Sequence, residues 1–132
     1  MTQMCTPDYG VYYVNAQSDL DTIAAECTTV NGSIVLGNNY TGSFSLPNVQ
    51  NITHRIQADY RPYFPAPTSM DLSDLEFLGD SLSLSYLSTL ANLSAPKLKT
   101  VGSDIWLGYV QTVNLRSLEE ADQIYMCGNI TR

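Results

Sequence analysis

The side chains able to do chemistry are few and poorly assorted for catalysis. The single histidine is His54, so any nucleophile–histidine–acid triad would have to be built on it. It falls beside Ile52 and Ile56, at the edge of an apolar alternation, where a solvent-facing ring is expected. The acidic group Asp71, Asp74, Glu76 and Asp80 is the nearest thing to a carboxylate site. Glycoside hydrolysis needs two carboxyls about 5–10 Å apart across a cleft. Asp71, Asp74 and Glu76 take outward positions on one convex turn of chain, which reads as a solvated acidic face. No paired His or Cys spacing suggests zinc, and no Asp-x-Asp-x-Asp loop suggests calcium. No glycine-rich phosphate loop occurs. No cofactor, no metal and no catalytic residue are expected.

Three cysteines remain: Cys5, Cys27 and Cys127. In an oxidising compartment two would pair and one would be left over. Cys5 and Cys27 flank the N-terminal segment and are the expected bridge; three reduced thiols are the alternative. Cys127 falls at an outward position, where it could cross-link two chains. Five sequons begin at Asn31, Asn39, Asn51, Asn92 and Asn129, which favours a glycosylated protein. Charged residues are only 14% of the 132, and polarity comes from 13 Ser, 12 Thr and 9 Asn. That is the surface of a secreted protein. The net charge of -7 argues against nucleic acid and against an anionic membrane surface. No apolar run approaches a membrane span, so no transmembrane segment is expected. No apolar leader and no hydrophobic tail are seen, so neither a signal peptide nor an anchor signal is expected within this chain.

The elements that must position these groups come from a repeat. Phe44-x-Leu46-x-x-Val49-x-x-Ile52 recurs as Met70-x-Leu72-x-x-Leu75-x-x-Leu78, as Leu93-x-Ala95-x-x-Leu98-x-x-Val101 and as Val113-x-Leu115-x-x-Leu118-x-x-Ala121. Short alternating runs follow, beginning at residues 34, 56, 82, 105 and 124. Alternation predicts strands, and the short period leaves no room for a long helix between them. Residues 1–132 are therefore read as one mainly β domain, a right-handed parallel β-helix of about five coils over residues 30–132. Ile34, Ile56, Leu82, Ile105 and Ile124 should form one inward ladder. Leu36, Ala58, Leu84, Leu107 and Met126 should form the next. A helix over residues 17–27, capped by Ser18, should close the N-terminal end through Leu20, Ile23, Ala24 and Cys27. The C-terminal end shows no cap, which invites self-association through its edge. Arg61–Ser69, with three prolines, should project as a stiff loop carrying Tyr63 and Phe64. These two rings would either anchor a protein partner or fold back on the solenoid.

The outward residues of the long sheet should read Val35, Gln57, Ser83, Trp106 and Tyr125 from coil to coil, beside Ser33, Arg55, Ser81, Asp104 and Gln123. Stacked strands lie ~4.8 Å apart, which makes Trp106 and Tyr125 neighbours. Rings flanked by Asp104, Gln123 and Arg55 could bind a sugar; cross-strand packing that shields the sheet is the alternative. Asn38, Tyr60, Tyr86 and Tyr109 are expected at an inward corner, as structural tyrosines.

The strings Gly42-Ser-Phe-Ser-Leu46-Pro-Asn-Val-Gln-Asn-Ile52, Gly79-Asp-Ser-Leu-Ser-Leu84-Ser-Tyr-Leu and Leu93-Ser-Ala-Pro-Lys-Leu-Lys-Thr-Val101-Gly resemble the fungal GPI-anchored cell-wall organisation proteins. That family includes sporulation-specific wall proteins and is similar in architecture to the L domains of receptors, which are leucine-rich, right-handed solenoids. The resemblance runs over about residues 5–132. It implies a secreted, glycosylated, non-enzymatic protein of the fungal wall or cell surface, with wall polysaccharide or a surface protein as partner.

Overall fold

The computed structural model describes residues 3–59 and 64–127. Tyr60, Tyr63, Asn129 and the side chain of Cys127 lie outside what is described. The chain visits three parallel sheets in rotation. A short first sheet contains β1 (Met4–Cys5), β3 (Thr29–Val30), β6 (Asn51–Ile52), β9 (Phe77–Leu78) and β12 (Thr100–Val101). The long sheet contains β2 (Val11–Val14), β4 (Ser33–Leu36), β7 (Ile56–Ala58), β10 (Leu82–Leu84), β13 (Ile105–Gly108) and β15 (Ile124–Cys127). The third contains β5 (Thr41–Ser45), β8 (Ala66–Asp71), β11 (Asn92–Ser94) and β14 (Thr112–Asn114). The result is a parallel β solenoid with, among the described residues, one α-helix, α1 (Gln17–Glu26), and a short 3-10 turn at Asp8–Gly10.

The inward ladders follow the apolar alternation. Ile34 pairs with Ile56, Ile56 with Leu82, Leu82 with Ile105 and Ile105 with Ile124. In the third sheet Phe44, Met70, Leu93 and Val113 line up, and in the first sheet Val30, Ile52, Leu78 and Val101 do so. Ile34, Ile56, Leu82 and Ile105 have no exposed surface. Ile124 differs: it is 45% exposed, because no described strand follows β15 in that sheet.

The N-terminal region departs from expectation. Both β1 and β2 precede the helix, so the sheets begin well before residue 30. Neither segment carries the leucine spacing of the repeat, which is why the sequence hides them. Ser18 is not the helix cap. It lies inside α1, and Ala16 holds the cap position. The Asp19 carboxylate does the capping, accepting the backbone N–H groups of Asn15 at 2.8 Å and Ala16 at 3.3 Å. A carboxylate in the first turn also suits the positive end of the helix dipole.

Leu20 and Ile23 bury the inner face of α1, and Cys27, the residue after the helix and in extended conformation, is buried beside them. The helix lies against β5, the terminal strand of the third sheet. There the Gln17 side chain stands in for a missing strand. Its Nε2 donates to the Ser45 carbonyl at 2.7 Å, and its Oε1 accepts the Ser45 N–H at 2.9 Å. At the other end of the helix, Asn48 Nδ2 donates to the carbonyl oxygens of Ala24 and Cys27. The Cys5–Cys27 disulfide ties β1 to the end of α1.

The proline-rich segment is less of a loop than its composition suggests. Residues 66–69 belong to β8, paired with β5 across a bulge at Gly42/Ser43. Beneath them Tyr40 is fully buried, its ring 5.6 Å from that of Phe44, and its hydroxyl donates to the Ser43 carbonyl at 2.8 Å.

Two outcomes follow. Replacing Cys5 and Cys27 together by Ala should lower the free energy of unfolding by about 3 kcal/mol, read from urea titrations, because the bridge closes a loop of 22 residues. Burial, with Asp21 and Asp19 nearby, pushes the Tyr40 hydroxyl from 10.0 to about 12. The folded state therefore holds that proton more tightly than the unfolded chain. The stability it contributes is whole below pH 10 and is lost as pH rises towards 12. Tyr40→Phe should make the alkaline fall of the urea midpoint shallower than in the wild type.

Candidate functional site

The outward face of the long sheet gathers the side chains of interest. Register pairing runs Tyr13, Val35, Gln57, Ser83, Trp106, Tyr125, one residue from each strand. Trp106 and Tyr125 stack with ring centroids 3.9 Å apart and planes 16° from parallel. Each remains 38% exposed. Near-parallel rings at that separation must have their normals close to the direction in which the strands stack. The pair therefore presents edges to solvent rather than a flat apolar platform.

At the start of the same strands, Arg55 Nη2 lies 2.9 Å from Asp80 Oδ2, and its Nη1 donates to Gln57 Oε1 at 3.5 Å. The Asp80–Arg55 pair thus brings the guanidinium to the Gln57 amide oxygen, in a long contact between exposed side chains. Ser81, Asp104 and Gln123 take the same position on the next three rungs, and the backbone carbonyls of Asp104 and Gln123 accept the N–H groups of Leu82 and Ile105. Thus Arg55, Asp104, Gln123, Trp106 and Tyr125 share one face.

At the other end of the strands, Tyr86 and Tyr109 overturn the inward-corner expectation. They are 65% and 55% exposed. Each has a positive φ, 67° and 64°, directly after its strand or its flanking residue. A left-handed residue breaks the two-residue alternation on which the inward assignment relied. Phe64, 43% exposed, packs against Tyr86 with ring centroids 5.6 Å apart. The described part of the proline segment thus lies back on the solenoid. Phe64 and Tyr86, with Gln57, Ala58, Ser83 and Ser85, line a hollow of about 280 Å³. Alternation alone could not have found Tyr86; only its backbone conformation turns it outward. Tyr13, 64% exposed, extends the same row and was missed, because Val11-Tyr-Tyr-Val14 carries neither the leucine spacing nor an apolar–polar alternation.

The other chemical groups are engaged elsewhere. Asp74 accepts the Asn48 N–H at 2.8 Å and Lys97 Nζ at 3.3 Å, which together hold its carboxyl below the usual range. His54 is exposed, with Nδ1 3.0 Å from the Thr53 hydroxyl. Among the described residues no group of His, Cys, Asp and Glu is placed to hold a metal. Of the sequons, Asn39 and Asn92 are exposed, with the Thr112 hydroxyl donating to Asn92 Oδ1. Asn31 and Asn51 are half-buried, and their amides bond to Thr53 and Thr29. A second hollow, about 780 Å³, opens at the C-terminal end among Leu93, Val113, Leu115, Leu118, Ile124 and Met126. No helix among the described residues is long and apolar enough to cross a membrane.

Over 118 residues the chain is 28% identical to protein ecm33 of the fungus Aspergillus fumigatus. The match takes in 89% of this chain and 28% of the length of that protein. No family model and no solved structure matches the chain.

Trp106 is the single tryptophan, so its fluorescence reports on this face alone. Tyr125→Ser should shift its emission to longer wavelength by opening the stacked side to water. The accompanying loss of stability should be about 1 kcal/mol, the usual worth of an aromatic pair. A larger loss in urea titrations would make the stack a structural brace.

Proposed function

We propose that the protein is a non-enzymatic component of the fungal cell wall or cell surface, supporting wall organisation by binding wall glycans along the long sheet. The observation that carries this reading is the exposed Trp106–Tyr125 pair beside the Asp80–Arg55–Gln57 chain. Sugars offer apolar C–H surface and many hydroxyls at once. Their recognition needs aromatic rings and hydrogen-bonding groups together, and this face has both. The likeness to ecm33 agrees with the cell-wall resemblance of the repeat strings and supports a wall-related role. The Cys5–Cys27 disulfide suits an oxidising, secretory route. On this reading the solenoid is right-handed, of about five coils and L-domain-like.

A second reading is a receptor-like protein-binding module. The exposure of Phe64 and Tyr86 favours it, as does the apolar hollow at the C-terminal end, through which a second copy could also pack. It differs from the first in which residues matter.

Pulldown on insoluble β-glucan, chitin and mannan separates the two. Wild type should be retained by at least one polymer, and Trp106→Ala should reduce that retention about tenfold, equivalent to ~1.4 kcal/mol. Retention unchanged in Trp106→Ala would remove the long sheet as the site. Absence of retention by wild type on all three would favour the protein-binding reading.

A further inference from the structure

We infer that the face above Ser83 is a slot one ring thick, which takes the terminal pyranose of a neutral wall polysaccharide rather than a length of chain lying across the sheet. The inference rests on the glycan-binding reading and specifies how the sugar is held. One face of the Trp106 ring is occupied by Tyr125 at 3.9 Å. Since the ring normals lie near the stacking direction, the remaining face of Trp106 looks back along the solenoid, over the rung that carries Ser83. The next rung in that direction carries Gln57. Two rung spacings amount to about 9.6 Å, and between a tryptophan and a glutamine stands only a serine. That gap accommodates one ring stacked on the indole face.

The slot also has ends and polar partners. Towards the strand ends the slot adjoins the hollow of about 280 Å³ walled by Phe64, Ser85 and Tyr86, which shares Gln57 and Ser83 with it and is not lined by Trp106. Two serine hydroxyls and the Gln57 amide offer donors and acceptors to ring hydroxyls. The Gln57 amide lies beside Arg55, whose charge is balanced by Asp80 at 2.9 Å. A chain with net charge -7 repels an anionic sugar, so a neutral one fits. A polymer lying across the sheet would meet only the edges of Trp106 and Tyr125, and would gain little from them.

The test is a titration of Trp106 fluorescence with oligosaccharides from β-glucan, chitin and mannan, running from disaccharide to hexasaccharide, on wild type and on Ser83→Tyr. Ser83 faces outward, so the variant should keep the wild-type circular dichroism and urea midpoint. A slot predicts affinity within about threefold across the length series, and a loss of about tenfold or more in Ser83→Tyr, whose ring fills the gap. An extended track predicts the reverse. Affinity would climb steeply with length, and Ser83→Tyr, by lengthening the aromatic row, would bind as well or better. Either of those results overturns the slot while leaving a glycan site in place. Failure of every oligosaccharide to bind wild type, together with failure on the insoluble polymers, overturns the slot and the glycan reading alike. If Ser83→Tyr does not fold, the wild-type length series decides.

Discussion

Everything in this fold depends on one constraint: each circuit of the chain must return to the register of the one before. Parallel strands of two to six residues cannot satisfy their own backbone groups. Their N–H and C=O groups are met only by the rungs on either side. Sequence alternation enforces the register, because a slip of one residue would turn every buried Leu, Ile and Val to water. Ile34, Ile56, Leu82 and Ile105 are in line because any other alignment exposes all of them together. The turns are equally tight. A Cβ on Gly102 would come within 2.1 Å of the Gly79 carbonyl oxygen of the rung below, so this corner admits little beyond glycine.

The same constraint explains the treatment of the N-terminal end. The first strand of a parallel stack has one row of backbone groups with no rung to meet them. Here the third sheet begins at β5, and a side-chain amide, that of Gln17, makes two of the hydrogen bonds a strand would have made. The helix that carries Gln17 also supplies Leu20 and Ile23 to the core. Asn48 and the disulfide hold its far end. One short helix thus substitutes for a strand in hydrogen bonding and in burial together.

What could be read from the sequence was what the repeat enforces. The inward ladders, the pairing of Trp106 with Tyr125 and the outward row from Val35 onward all follow from period-two alternation carried at a fixed offset. What could not be read lies where a different principle governs. Met4–Cys5 and Val11–Val14 join sheets without the leucine spacing that marks later strands. Asp19 caps α1 from inside the first turn, where a hydroxyl at Ser18 looked better placed. Tyr86 and Tyr109 point outward because a left-handed backbone overrides parity, and nothing in Ser-Tyr-Leu or Gly-Tyr-Val announces it. Residues 66–69 pair as strand although Pro65 precedes them and Pro67 is one of them, with the bulge at Gly42/Ser43 absorbing the mismatch.

Inward and outward residues therefore answer to different demands. Stability resides in the apolar ladders, each member touching the rungs above and below. The outward row contributes much less: Arg55–Asp80 is an exposed pair, and such pairs are worth about 0–1 kcal/mol. One outward residue per rung, at ~4.8 Å intervals, is a row of nearly independent choices on a rigid support. Here the choices run from Gln57 through Ser83 to Trp106 and Tyr125. A small residue between large ones is expensive inside a core, because it leaves a cavity. On the outer face it leaves a depression open to water, which costs the fold almost nothing. Solenoid strands can thus shape a recognition surface by the sizes of adjacent outward side chains, with the core beneath unchanged.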